Sequence, residues 1–182
     1  RSCGFVPVLV SAGSVGTGVL KLLDAIIDIL PSPAQTPKAV AQGKSEEMVL
    51  ECSDSGPLAV YVWKTTADPF VGKQTYFRIY SGVLNADTRV WNQTKSIEER
   101  LGSLSIPRGK DTITVKTVHA GDICVVPKLS DTSTSNTLCD KNHPLILPVP
   151  DYPTALYEVA LFPKTQADST KITTTLTKLC EE

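Results

Sequence analysis

Alternating apolar and polar residues fill the middle of the chain. The runs are LAVYVWKT, TYFRIYSGVL, TRVWNQ, ERLGSLSI, DTITVKTV and DICVVPKL, between residues 58 and 129, and turn sequences such as Asn-Ala-Asp and Ala-Gly-Asp separate them. A period of two predicts strands with one buried face. Since no long helical pattern lies between these strands, the sequence predicts an antiparallel β-barrel or a sandwich, and a closed barrel would also remove exposed sheet edges.

The first 30 residues have the pattern of an α/β protein. Residues 5–10, FVPVLV, are continuously apolar and largely β-branched, as in a parallel strand buried on both faces. A glycine-rich loop follows, and a helix is then predicted up to Pro31, with Thr17 as its N-terminal cap. Its apolar residues at helical spacing are Val19, Leu22, Leu23, Ile26 and Leu30. This segment predicts the last strand, loop and helix of an α/β domain.

The end of the chain predicts a second α/β piece. Residues 155–162, ALYEVALF, have the composition of a strand. Residues 165–182 predict a helix in which Asp168 follows the capping Thr165 by three residues. Its apolar face holds Ile172, Leu176, Leu179 and Cys180. We expect this strand and helix to be the first βα unit of a further domain.

The domain boundaries follow from these changes of pattern. Residues 31–45, PSPAQTPKAVAQGKS, are rich in proline and predict an extended connector. The predicted divisions are 1–30 for the end of the first domain, 31–56 for a linker, 57–148 for the barrel and 149–182 for the start of the next domain. Because the chain begins at Arg1 rather than at Met, we expect it to be a piece of a longer protein.

Charge and composition exclude several classes of function. The 182 residues carry a formal net charge of -1, so the chain as a whole is not attracted to nucleic acid or to an anionic membrane. No apolar run is long enough to span a membrane, and no signal-peptide pattern is present. The five cysteines include no Cys-x-x-Cys pair. This spacing indicates reduced thiols and predicts a cytoplasmic protein.

Motifs that suggest other chemistry lack their usual context. Residues 42–45, QGKS, end like a phosphate-binding loop, but Lys38 stands where that loop needs its first glycine. Residues 92–94, NQT, match a glycosylation acceptor, although nothing else indicates secretion. His119 and His143 have no carboxylate or cysteine pattern that would join them into a metal or catalytic group. The sequence therefore predicts no catalytic and no metal-binding residue.

A local basic surface is the candidate site. Tyr76, Arg78 and Tyr80 alternate on the outward side of a predicted strand, while Phe77 and Ile79 face the core. Other basic residues occupy turns or the polar face of the predicted barrel. The candidates for contact with RNA phosphates are Lys73, Arg78, Lys95, Arg100, Arg108 and Lys110.

Ordered stretches of the sequence resemble one protein family. VPVLV, then Ser-Ala and GVLKLLDAIIDILPSP, are similar to the end of the GTP-binding domain of bacterial elongation factor G. PFVGKQTYFRIYSGVL, KSIEERLG, HAGDI and DTSTSNTLCD resemble its second domain, and EVALFPKTQAD with LTKLCEE resembles the start of its third. The chain thus resembles a fragment of an elongation factor G-like translational GTPase.

The resemblance implies a fold and partners. The implied fold is mainly β, an antiparallel translation-factor β-barrel (domain II). It is flanked by a C-terminal α/β piece of the GTP-binding domain and by the first βα unit of a ferredoxin-like domain III. The family binds the ribosome, touches small-subunit ribosomal RNA with its barrel and promotes translocation during protein synthesis. A membrane or DNA is not an implied partner.

The resemblance also implies that GTP and magnesium belong to the intact parent protein. This chain holds no phosphate loop, no switch segments and no Asn-Lys-x-Asp guanine motif, so we expect no cofactor and no GTP hydrolysis in it. Ser11 and Ala12 match the family's guanine-side loop. The loop after them is one residue longer than usual, with Gly13, Ser14 and Val15 in place of basic and amide residues.

Alternative functions remain open at this point. A ribosomal protection (tetracycline resistance) protein and a class II release factor share the barrel, although Phe70-Val71-Gly72-Lys73 favours an elongation factor over a release factor. A paralogue without translocation activity is a further alternative. A free-standing interaction β-barrel with no GTPase partner belongs to a different class.

Overall fold

The computed structural model describes residues 4–68 and 71–180. Cys3, the predicted turn at Pro69 and Phe70, and the end of the predicted C-terminal helix lie outside the described residues. The helices are α1 (Val19–Ile29) and α2 (Gln166–Cys180). The strands are β1 (Ala39–Gln42), β2 (Glu47–Leu50), β3 (Ala59–Asp68), β4 (Gly72–Ser81), β5 (Leu84–Asn85), β6 (Arg89–Asn92), β7 (Ile97–Arg100), β8 (Leu104–Arg108), β9 (Asp111–Val115), β10 (Thr117–Val118), β11 (Ile123–Pro127) and β12 (Thr137–Cys139).

An antiparallel sheet of eight strands forms the barrel. The strand order is β7-β6-β12-β3-β4-β11-β8-β9. β5, which precedes β6 in the chain, pairs with β10, which follows β9. This pairing brings the two ends of the strand order together, so the sheet curls around a single interior. The mainly β, barrel-like fold predicted from the alternating runs is confirmed.

The interior is lined by apolar side chains, among them the two that the alternation predicted to face the core. Phe77 and Ile79 of β4 are fully buried, and Tyr76, Arg78 and Tyr80 are half-buried on the opposite side of the strand. Side chains from β6 and β8, the strands next to the two ends of the order, join the same cluster through Val90 and Leu104. The full cluster is Val60, Val62, Phe77, Ile79, Leu84, Val90, Leu101, Leu104, Val118, Cys124, Val126, Leu129 and Leu138.

A second apolar cluster lies on the outside of β3 and β12. Ala41 and Leu50 come from the β1–β2 hairpin and pack with Tyr61, Cys139 and Leu145. The extended connector predicted for residues 31–45 therefore contains a strand. The QGKS sequence forms the hairpin turn, in which the Gly43 N–H donates to the Glu46 carbonyl at 2.9 Å. Strands of four residues are too short for an alternating pattern to be recognised in the sequence.

The chain divides into two compact units, Arg1–Thr36 and Pro37–Glu182. The predicted boundaries at residues 30, 56 and 148 stay predictions. In the first unit α1 forms as predicted, but its N-terminal cap is Gly18 (φ 75°), and Thr17 makes no side-chain capping bond. In the second unit α2 begins as predicted, since the Asp168 N–H donates to Thr165 Oγ1 at 3.3 Å.

The strands predicted at residues 5–10 and 155–162 are absent from the described structure. Val8 and Val10 are 88% and 91% exposed, and Leu156 is 96% exposed. A strand requires a neighbour for its backbone N–H and C=O groups, and none of the described strands pairs with either segment. No helix among the described residues is long and apolar enough to cross a membrane.

Candidate functional site

Two of the predicted RNA contacts, Lys73 and Lys95, bind the loop between β11 and β12. Lys73 Nζ donates to the Ser130 carbonyl at 3.5 Å, and Lys95 Nζ donates to the carbonyl of the adjacent Asp131. The structure thus brings these lysines to neighbouring points of one loop, residues 128–136. Because both ammonium groups are engaged by backbone carbonyls, their first role is to hold this loop.

Buried polar side chains also form hydrogen bonds with the 128–136 loop. Glu99 is 8% exposed and accepts hydrogen bonds from the Asp131 N–H at 2.8 Å and from the Thr132 hydroxyl. Asn92 is fully buried and donates to Thr132 Oγ1 at 3.1 Å and to Asn136 Oδ1 at 3.0 Å. These partners satisfy groups that would be costly to bury alone. A buried Asn92 also excludes glycosylation of the folded chain at this position.

Arg78 lies on the outer face of the barrel, against aromatic rings. Its Cζ atom is 5.0 Å from the centroid of the Tyr80 ring, a cation–π contact. In the sheet, Arg78 stands opposite Tyr61 on β3 and Ile123 on β11. Its Nε atom is buried without a hydrogen-bond partner among the described residues. The Tyr80 ring therefore orients this guanidinium.

Trp63 and Lys64 on β3 are a feature of this face that the sequence reasoning missed. Val62 pairs with Phe77 and Lys64 pairs with Tyr76, so Trp63 is an extra residue in the strand. Both Trp63 and Lys64 are exposed, whereas Val62 is buried. The signal in the sequence is that strict alternation would direct the charged Lys64 into the barrel interior.

The other predicted RNA contacts occupy two separate hairpins. Arg100 ends β7, where it stands opposite Arg89. Arg108 ends β8 opposite Asp111, and Lys110 follows in the β8–β9 turn. These three candidates are exposed. They belong to opposite ends of the strand order, so the sheet does not place all three on one strand pair.

The predicted guanine-side loop closes on itself. The Ala12 N–H donates to the Thr17 carbonyl at 2.9 Å, and the Val15 N–H donates to the Ala12 carbonyl at 3.2 Å. Gly18 follows with φ +75°, and a Cβ there would lie 2.5 Å from the Val10 carbonyl oxygen. The backbone amide of Ala12 is therefore already used within the loop.

His119 has a carboxylate partner that the sequence did not indicate. Its Nδ1 lies 2.8 Å from Asp54 Oδ2, and the Ala120 N–H donates to Asp54 Oδ1 at 3.1 Å. The hydrogen bond with His119, followed by that from Ala120, lowers the pKa of Asp54 below its ordinary value of 3.8. Since both side chains are more than half exposed, the pair is a surface contact that joins two loops.

The cysteines offer no activated nucleophile in the barrel. Burial raises the pKa of Cys124 to about 11, and burial also raises the pKa of Cys139. Cys52, Cys124, Cys139 and Cys180 are free thiols. Within the described residues, no group of three or more His, Cys, Asp or Glu side chains could hold a metal ion. The buried thiols of Cys124 and Cys139 are therefore packing groups.

An open cavity of about 360 Å³ lies beside Trp91. Lys141 Nζ is 5.0 Å from the centroid of the Trp91 ring, and Arg89 pairs with Glu98 at 2.7 Å. The cations that line this cavity are thus already matched with a ring or a carboxylate. The cavity has no net attraction for one sign of charge.

Relatives of the chain are known in sequence and in structure. Residues 57–141 match the family described as elongation factor G domain 2. A crystal structure of a protein from Thermus thermophilus is similar to the chain, with a TM-score of 0.72 at 30% sequence identity. The similarity covers 94% of this chain and 24% of the Thermus chain. This chain therefore spans about a quarter of the length of that protein.

Proposed function

Because this chain is elongation factor G-like and its residues 57–141 belong to the elongation factor G domain 2 family, we propose that it contacts the ribosome as part of a GTPase that promotes translocation. The carrying observation is the family match, which runs from Pro57 to Lys141 and includes β3 to β12. We place this function in the cytoplasm, where protein synthesis occurs. The barrel is a ribosome-contacting support rather than a catalytic unit.

We propose that the basic residues of the barrel differ in their role in that contact. Lys73 and Lys95 hold the 128–136 loop through backbone carbonyls. Arg78 is oriented by Tyr80, and Arg100 and Arg108 are exposed at strand ends. The three arginines are therefore the residues proposed to meet small-subunit ribosomal RNA, because a guanidinium can bind a phosphate with two hydrogen bonds.

GTP and magnesium are assigned in our proposal to the intact protein rather than to this chain. The Ala12 amide is donated within its own loop, and no described cluster of carboxylates could coordinate a metal ion. In our proposal, parts of the intact protein outside this chain hold GTP and magnesium. The purified 182-residue chain is expected to show no GTP turnover. Measurable turnover would contradict the proposal that GTP and magnesium bind outside this chain.

The full-length protein provides the test of ribosome contact. We expect the triple variant Arg78→Gln, Arg100→Gln and Arg108→Gln to bind ribosomes more weakly, with a shallower dependence of affinity on salt. Each lost phosphate contact reduces the slope of log K against log salt by about 0.7 to 0.9. The measurements are ribosome co-sedimentation over a salt series, ribosome-dependent GTP hydrolysis and translocation.

The matched control is Arg89→Gln. Arg89 is also an exposed arginine of the barrel, but its guanidinium is paired with Glu98 at 2.7 Å, so its removal should leave the salt slope unchanged. Unchanged affinity of the triple variant across the salt series would refute the RNA contact. Ribosome-dependent GTP hydrolysis without translocation would instead favour a ribosomal protection protein or a paralogue.

A further inference from the structure

A β-bulge presents two consecutive side chains on the outer face of the barrel. Trp63 is the extra residue between the pairs Val62–Phe77 and Lys64–Tyr76. A regular strand would direct Lys64 into the barrel, where Val62 and Thr65 are buried. The bulge directs it outward together with Trp63, which is 43% exposed. Bulges that re-aim side chains in this way are common next to functional sites.

Aromatic rings and cations surround this bulge. The ring centroids of Trp63 and Tyr76 are 5.8 Å apart with an interplanar angle of 55°, so Tyr76 supports the edge of the indole. The Tyr76 hydroxyl donates to Gln74 Oε1 at 2.9 Å, which fixes its ring. Arg78 and Tyr80 continue the same side of β4. We name the set Trp63, Lys64, Tyr76, Arg78 and Tyr80 the aromatic face.

The charged side chains of the strands around the aromatic face are mainly positive. β3, β4, β8 and β11 hold a single carboxylate, Asp68, at the end of β3. Asp68 accepts a hydrogen bond from the Val71 N–H at 2.8 Å, so it serves the adjacent turn. The whole chain has a formal net charge of -1, and this region is therefore a local exception. A surface that combines cations with one exposed ring and two half-buried rings, on strands that hold one carboxylate, suits a polyanion.

Resting on the proposed function, we propose that the aromatic face binds single-stranded RNA, with one base stacked on Trp63 and its flanking phosphates at Lys64 and Arg78. Unpaired RNA bases stack on aromatic side chains, and cations follow the backbone beside them. Tryptophan, tyrosine and arginine are also common in protein interfaces. The scarcity of carboxylates favours RNA, because a protein partner would bring charges of both signs.

The first test uses the 182-residue chain with the substitution Trp91→Phe. The chain has two tryptophans, so this background leaves Trp63 as the only one. We expect a dodecamer of oligoadenylate to quench Trp63 fluorescence in a saturable manner. Trp63→Ala should weaken binding of the same oligonucleotide about 10- to 100-fold, measured by fluorescence anisotropy of a labelled strand, and Trp63→Phe should restore part of the affinity.

A second variant separates the contribution of base stacking from the contribution of charge. Lys64→Gln should lower the slope of log K against log salt by about 0.7 with little change in quenching. Urea unfolding of each variant checks that the barrel is intact. Absence of quenching in the Trp91→Phe background, or full affinity after Trp63→Ala, would overturn the stacking proposal.

Ribosome binding by the full-length protein distinguishes this inference from the proposed function. Weaker ribosome binding after Trp63→Ala, together with oligonucleotide quenching, supports both. If the unaltered full-length protein does not bind ribosomes but the oligonucleotide still quenches Trp63, the proposed function fails and the stacking site stands. If Trp63→Ala weakens ribosome binding without any oligonucleotide quenching, the face contacts a ribosomal protein and the RNA proposal is overturned.

Discussion

Replacement of Gly82 by alanine should destabilise the barrel far more than an equivalent change at another left-handed glycine. Gly82 follows β4 with φ +78° and is buried. Its N–H donates to the Ser53 carbonyl at 2.9 Å, which ties the end of β4 to the loop before β3. A Cβ at this position would lie 2.9 Å from Leu58 Cα, 3.0 Å from Leu58 N and 3.2 Å from the Gly56 carbonyl oxygen.

Two terms add to the expected cost at Gly82. A non-glycine residue in the left-handed region costs roughly 1–2 kcal/mol. The new methyl group also overlaps backbone atoms, which cannot rotate away as a side chain could, and overpacking of this kind costs typically about 1–3 kcal/mol. The expected loss of unfolding free energy is therefore about 2–5 kcal/mol. That is a large fraction of the roughly 5–15 kcal/mol that stabilises a typical domain.

Gly109→Ala is the matched control. Gly109 has φ +63° in the β8–β9 turn, and a Cβ there would find nothing within 4 Å. Only the conformational cost of about 1–2 kcal/mol applies to it. Urea unfolding followed by tryptophan fluorescence reports on the barrel, because both Trp63 and Trp91 lie within its strands. Equal midpoints for the two variants would refute the steric part of the reasoning.

Three further predictions concern buried groups and surface charges. Asn92→Ala should cost about 1–3 kcal/mol in urea unfolding, because its buried partners lose their hydrogen bonds. Cys124, with its pKa raised by burial to about 11, should react with a thiol reagent at about pH 8 only after unfolding, whereas exposed Cys180 reacts in the native chain. The protonated thiol of Cys124 contributes fully to the stability of the fold below its unfolded pKa near 9, and that contribution should fall as the pH rises towards 11. Asp54, with a lowered pKa, stabilises the fold above pH 3.8 and loses this effect as pH falls, and His119→Asn should raise its midpoint in an NMR titration.

Sequence reasoning succeeded where the signal was local and failed where a partner was needed. The two-residue period of β4 predicted that Phe77 and Ile79 are buried, and both are. β12 was missed because Thr137–Cys139 is only three residues long and takes its order from β3 and β6 on either side. The predicted strands at residues 5–10 and 155–162 have apolar composition but no pairing strand among the described residues.

The candidate site shows the same division. The shared outward direction of Tyr76, Arg78 and Tyr80 followed from alternation alone. The engagement of Lys73 and Lys95 did not, since their carbonyl partners are 57 and 36 residues away in the chain. Sequence reasoning placed the six basic candidates at turns or on the polar face of the predicted barrel. In the structure Lys73 and Lys95 bond to one loop and Arg78 is half-buried against Tyr80. The remaining candidates are exposed, namely Arg100, Arg108 and Lys110.

The sequence by itself determined which face of β4 is buried and which protein family the barrel resembles. Both are properties of consecutive residues, because side-chain direction in a strand repeats every two positions. Only the tertiary structure decided that β5 and β10 bring the ends of the sheet together, that Trp63 and Lys64 form a bulge opposite Tyr76, and that the Ala12 amide is internally bonded. Each of these three features depends on which backbone groups pair with each other in the fold. The hydrophobic pattern of the sequence does not specify those pairings.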